Sequence, residues 1–313
     1  MILSMFAHAY VLNLDADSDR MRKISARLQR LGVEYERFAA ISPNSISYLP
    51  QIGRLTSAEY ACAMSHAAVL RSIEEHGYET ALIIEDDAVF RDDTPKIMAN
   101  IRDETARQCW DMFYMGLHLR KSLGRLSCHL GQVGTGYHAH AYAVSRRAVP
   151  RLIRSICSIL ENPVCTFDEF SDPTLNKIYT VPILAVQEPN QSYTYNVYTD
   201  RLPQYFAMFD GEEFEANCLE IRGMESDWRA VIQFKSQFFE AQRALQCGSI
   251  DRAAQGFRQA IAGWPRLARL LSSDANASDM IGPLKDEGSC GLDVVTACTW
   301  LTHNIRRIAV GSF

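Results

Sequence analysis

The run Ile83-Ile84-Glu85-Asp86-Asp87 sets three carboxylates directly after an apolar stretch. Ala81 to Ile84 shows no polar alternation, the pattern of a strand buried on both faces. In open α/β sheets ligands sit beyond the carboxyl ends of strands, and acids there can hold a hard divalent cation. That cation can bridge a diphosphate and neutralise charge on a departing phosphate oxygen. The same triplet also suits a plain polar strand end. Asn13 and Arg20 lie where a first strand gives way to a helix, a place for a nucleotide to dock. Arginine can pair with phosphate, or stand as a solvated charge at a helix start. His66 sits mid-helix, and by itself reads as a core or surface histidine. His138 and His140 share one face of a strand, but no third ligand is spelled out nearby, so a structural role is expected.

These residues need elements to hold them. Tyr10 to Leu14 reads as a strand, and the Asp-rich run 15–19 can cap the helix that follows. Met21, Ile24, Leu28 and Leu31 recur at helical spacing, and Gly32 is its stop. Residues 33–41 suit a second extended piece, and 42–54 a loop. Thr56-Ser-Ala-Glu59 has the form of a capping box, opening a helix that Gly77 ends. Pro95 marks another helix start. Trp110 to Gly116 reads as a strand, 117–134 as a loop, and His140 to Val144 as a strand. Ser145 is placed to cap a helix running to about Leu160, and Tyr179 to Val186 reads as one late strand. This alternation predicts an α/β fold with a mainly parallel sheet.

Four segments in this order resemble glycosyltransferase family 25, the bacterial lipooligosaccharide galactosyltransferases and their procollagen galactosyltransferase relatives. They are Val11-Leu-Asn-Leu-Asp15 with Asp19-Arg20, Ala61-Cys-Ala-Met-Ser-His66, Ala81 to Val89 with its acids, and Gly134-Thr-Gly-Tyr137 through Ala141 to Arg147. Together they span roughly residues 8–200. The resemblance implies a GT-A-like, Rossmann-like domain that transfers a hexose, galactose or glucose, from a UDP-sugar to a glycan or lipid-linked saccharide, with inversion. It implies that Asn13, Arg20, Ser65, His66, Glu85 and Asp86 face the donor. It implies Mn²⁺ or Mg²⁺ on Glu85 and Asp87, with Asp87 in the catalytic set. Inversion needs one base to deprotonate the acceptor hydroxyl. The family's Pro-Val-Asp segment here reads Pro163-Val-Cys165, with Asp168 three residues later. Either an insertion gives the role to Asp168, or that carboxylate is lost. Asp-Glu-Phe170 resembles the procollagen enzymes' version and favours Asp168.

The remainder, 223–313, carries 10 basic and 9 acidic residues and reads as helical, whereas the net charge of the chain is -5. The expected division is therefore 1–222 for the transferase-like domain and 223–313 for the extension. Ala241, Gly248, Ala253, Phe257, Ala260 and Pro265 have the spacing of one tetratricopeptide-like repeat, a helical hairpin. One repeat cannot bury its own face, which leaves room for a protein partner there.

With 47% hydrophobic residues, the chain has mass for a core, so disorder is excluded for most of it. A negative net charge argues against nucleic acid as partner. Nine scattered cysteines without C-x-x-C fit reduced thiols. With no basic, apolar leader at Met1, that predicts a cytoplasmic location, touching a membrane face only through a lipid-linked acceptor. Two competing readings remain. One is a degenerate transferase that binds partners through its helices. The other is a metal-dependent phosphotransferase or phosphohydrolase, although no G-x-x-x-x-G-K-[ST] is present.

Overall fold

The computed structural model describes residues 5–47, 55–161, 174–192, 197–199, 202, 211–222, 224 and 228–264. The chain divides into two compact units, residues 1–198 with 213–223, and residues 199–212 with 224–313.

The first unit is α/β. Its strands are β1 (His8–Asn13), β2 (Glu36–Ala39), β3 (Thr80–Glu85), β4 (Ala88–Phe90), β5 (Met112–Arg125), β6 (Leu130–Ser145), β7 (Lys177–Thr180) and β8 (Ala185–Gln187). The six-stranded sheet runs β2-β1-β3-β6-β5-β7. Five strands share one direction, and β6 runs against them. β4 and β8 form a separate antiparallel ribbon. Helices α1 (Ser18–Arg30) and α3 (Thr94–Thr105) cover one face, and α2 (Ser57–His76) and α4 (Val149–Glu161) the other.

The pleat of β3 explains its unbroken apolar run. Leu82 and Ile84 pack with Ile24, Leu28, Met98 and Ile101 on one side. Ala81 and Ile83 pack with Leu70, Ile73, Val149 and Ile156 on the other. Helix ends follow their sequence signals. Asp17 accepts from the Arg20 amide, the Thr56–Glu59 capping box closes in both directions, and Gly77 takes the left-handed conformation (φ +69°) after α2.

Three expectations need correction. Residues 117–134 are not a loop but mostly a long hairpin, β5 and β6, in which the outer end of β5 is exposed while Leu130 and Val133 of β6 are buried. Ser145 does not cap α4. It ends β6, and the helix begins four residues later. The late strand is split at the cis Val181–Pro182 peptide into β7 and β8, which pair in different sheets.

Two short strands, β9 (Asn190–Ser192) and β10 (Val197–Thr199), pair with each other. Two short helices follow, α5 (Gly211–Ala216) and α6 (Leu219–Arg222). In the second unit, α7 (Trp228–Gln246) and α8 (Ile250–Ala262) form an antiparallel hairpin closed at Gly248 (φ +75°). Phe238 meets Phe257 at 5.3 Å between ring centroids, and Phe234 meets Trp264 at 5.3 Å. A Cβ on Gly256 would lie 2.8 Å from that of Ala241, so the helices touch at small residues. Pro265 lies outside the described residues.

Candidate active site

The acidic run leaves β3 at the carboxyl end of the sheet, at the turn into β4. Glu85 is the last residue of β3, and Leu12 stands opposite it in the register, so Asn13 falls beside Asp86. The Asn13 side-chain amide donates to Asp86 Oδ2 (2.8 Å) and to the Asp17 carbonyl (2.9 Å). Its Oδ1 accepts from Arg37 (3.0 Å). Arg20 reaches Asp86 Oδ1 (3.2 Å), Asp17 (3.2 Å) and Asn190 Oδ1 (2.9 Å). Both residues therefore hold Asp86. Burial, reinforced by the Asp87 charge, pushes the Asp86 carboxyl up to about 7 against the pull of Arg20 and Asn13.

Glu85 and Asp87 face elsewhere. The Gln187 side-chain nitrogen lies 3.1 Å from Glu85 Oε2 and 3.4 Å from each Asp87 oxygen. Asn190 donates to Asp87 Oδ2 at 3.1 Å. The two carboxylates thus converge on one point, taken by an N–H donor. This donor set fits Mn²⁺ or Mg²⁺, which take oxygen ligands and prefer carboxylates. Asp86 is turned away from that point, towards Arg20 and Asn13. Of the triplet, Glu85 and Asp87, the pair the sequence resemblance assigns to a cation, are the two whose oxygens meet at Gln187.

The other two predicted residues lie on α2. Ser65 Oγ donates to the Ala61 carbonyl (2.7 Å) and accepts from the Ile41 amide (2.8 Å). It is buried, and it ties the segment after β2 to the helix. His66 is buried too, with Nδ1 2.8 Å from the Tyr142 hydroxyl and Nε2 3.5 Å from Glu85 Oε1. Burial holds the Tyr142 phenol well above its ordinary range, so it keeps its proton. A buried network thus runs from β6 through α2 to the strand end. Asp168 lies outside the described residues.

Several residues of the site carried no sequence signal that the motifs used. Gln187 and Asn190 arrive because β8 pairs with β4, with Gln187 opposite Ala88. Glu188 lies between them. Its backbone amide donates to the Asp87 carbonyl (2.9 Å), and its side chain takes Lys23 (2.8 Å) and Arg27. The polar run 187–190 at a strand end was the available clue. His140 is buried with Nδ1 2.7 Å from the His138 carbonyl and Nε2 3.0 Å from the Ala185 carbonyl. Burial lowers its pKa, against the pull of those carbonyls and of Glu85 and Asp87. No disulfide joins the described cysteines, and no described helix is long and apolar enough to cross a membrane.

Residues 6–122 match the model of glycosyltransferase family 25 (LPS biosynthesis protein). A glycosyltransferase 25 family member of Aedes aegypti is 25% identical over 60% of this chain and 32% of its own length. The lipooligosaccharide biosynthesis protein lic2B of Haemophilus influenzae is 25% identical over 51% of this chain and 67% of its own length. Procollagen galactosyltransferase 1 of Danio rerio is 24% identical over 48% of this chain and 29% of its own length. The chain thus spans about a third of the length of the insect and fish relatives, and two thirds of the bacterial one. The matched segment runs from β1 into β5 and contains the whole acidic turn, so over residues 6–122 the chain is similar to glycosyltransferase family 25.

Proposed function

We propose that the chain transfers a hexose, galactose or glucose, from a UDP-sugar to a glycan or lipid-linked saccharide. The observation that carries this reading is the convergence of Glu85 and Asp87 on one point at the carboxyl end of β3. The relatives support it by name, since one is a procollagen galactosyltransferase and another a lipooligosaccharide biosynthesis protein. Mn²⁺ or Mg²⁺ held by Glu85 and Asp87 would offset charge on the departing diphosphate.

The chain's own residues have distinct parts in this reading. Asp87 is fixed by Asn190 and Gln187 and by its own backbone link to Glu188. Glu85 is held between Gln187 and His66. Asn13 and Arg20 act by holding Asp86 rather than by facing the donor, so they are positioning residues. Asp168 is carried forward as the base for the acceptor hydroxyl, and inversion at the sugar carbon goes with it.

The test is thermal stability with UDP, UDP-galactose, UDP-glucose and UDP-N-acetylglucosamine, each with Mn²⁺ and with EDTA. A ligand at 100 times its Kd adds about 2.7 kcal/mol, a rise of several degrees. One UDP-sugar should give a Mn²⁺-dependent rise that Asp87→Ala abolishes, together with transfer, while the variant's far-ultraviolet spectrum stays unchanged. A folded Asp87→Ala chain with full transfer would overturn the assignment.

A further inference from the structure

Glu85 presents its two carboxylate oxygens to different neighbours. Oε2 faces Gln187, on the Asp87 side, and Oε1 faces His66. Cys62 and His66 stand four residues apart on α2, so their side chains share one face of the helix. The Cys62 sulfur, a His66 ring nitrogen and a Glu85 oxygen all lie within 4.8 Å of one another. We propose that Cys62, His66 and Glu85 form a coordination site for a thiophilic divalent cation of the zinc class.

The geometry is close to what such an ion needs. In a tetrahedral zinc centre with bonds of about 2.0–2.3 Å, neighbouring ligand atoms stand roughly 3.3–3.8 Å apart. His66 Nε2 and Glu85 Oε1 already stand at 3.5 Å. The Cys62 sulfur needs a shift of at most about an ångström to complete that spacing. The far nitrogen of His66 is held by the Tyr142 hydroxyl at 2.8 Å, and metal-bound histidines characteristically carry such a partner on the other ring nitrogen. In the loaded state Nδ1–H donates to the phenol oxygen and Nε2 is left for the ion. Binding releases the Cys62 thiol proton to solvent. One thiolate and one carboxylate then balance the two positive charges. A sulfur ligand selects zinc, cobalt or copper over manganese or magnesium. This site therefore differs in ligand chemistry from the Glu85–Asp87 pair, and it does not rest on the donor reading. With three protein ligands, one position is left for water or a substrate oxygen.

The experiment is a titration of the full chain, reduced and stripped with chelator, with Co²⁺. The expected result is binding of one equivalent with a thiolate-to-cobalt charge-transfer band that Zn²⁺ abolishes by displacement. The band should vanish in Cys62→Ser, and affinity should fall at least about tenfold in His66→Gln. It should persist in Asp87→Ala, which separates this site from the hard-cation pair. Cys62 is only half-buried, so Cys62→Ser should keep the wild-type melting temperature and decides the matter if His66→Gln does not fold. The proposal is overturned by the absence of a band in the wild-type chain. It is equally overturned by an unchanged band in Cys62→Ser, which would place the ion on another thiol.

Discussion

Glu85, Asp86 and Asp87 follow one another in the chain, yet their surroundings divide them. Asp86 turns inward to Arg20 and Asn13, and the outer two meet at Gln187. A single residue elsewhere shows how strongly partners decide ionisation here. Burial raises the pKa of Glu220, but the hydrogen bonds and charges of Arg27 and Arg30 outweigh it, so the carboxyl is held below its ordinary range. A carboxylate with a depressed folded pKa adds stability above its unfolded value, about 4.3, and loses it as pH falls through the folded value. Glu220→Gln should therefore cost about 2 kcal/mol at pH 7. Its deficit in denaturation midpoint should close as pH drops below about 4. A deficit independent of pH would show that shape, and not charge, holds Glu220 in place. The acidic triplet was legible in the sequence because a buried strand ran straight into it. Its partners were not, because Gln187 and Asn190 lie about a hundred residues away and arrive only through strand pairing.

That pairing belongs to elements whose signals are weak. β1, α1, α2, β3, α3 and α4 could be read from periodicity and caps, since each buries a continuous face. The outer part of β5, residues 120–125, is exposed and has no apolar alternation to read. Gly131, Gly134 and Gly136 look like loop residues, but they stand where cross-strand groups come close. A Cβ on Gly131 would strike the Tyr179 ring. A Cβ on Gly116 would strike the His140 ring and lie 2.8 Å from the Ala185 carbonyl oxygen. Gly116 sits where the β5–β6 register shifts, beside the bulge that contains His138 (φ +54°). Gly116→Ala should therefore cost about 3 kcal/mol, since neither the buried ring nor the β8 backbone can yield cheaply. Chemical denaturation measures it. A loss below about 1 kcal/mol would mean that the bulge gives way easily and does not fix β8 against β5. Because β8 carries Gln187, the same substitution should weaken any cation held by Glu85 and Asp87.

At the scale of the molecule, the chain leaves the α/β unit after residue 198 and returns for residues 213–223. The sequence reading drew its boundary at 222/223, at the end of that return. The returning segment is sewn in by charge and by apolar contact. Glu213 accepts from Arg91 (3.0 Å), and Glu220 accepts from Arg27 Nε (2.8 Å), both arginines being buried. The Asp92 amide donates to the Asn217 carbonyl (2.7 Å), and Asp92 takes the Leu219 amide (2.8 Å). Phe214 and Ile221 are buried beneath it. A chain cut after residue 198 uncovers the surface that those two side chains cover, at roughly 2 kcal/mol each. It also strips one carboxylate from each of two buried guanidiniums, which adds to the loss. A chain cut after residue 223 keeps all of these contacts. The α/β transition of 1–223 should thus match that of the full chain, and that of 1–198 should fall by about ten degrees. Scanning calorimetry of the three chains tests this. Equal melting of 1–198 and 1–223 would show that the returning segment adds nothing to the unit. Arg27 would then be satisfied by Glu188 and the Ala88 carbonyl, and Arg91 by Asp93.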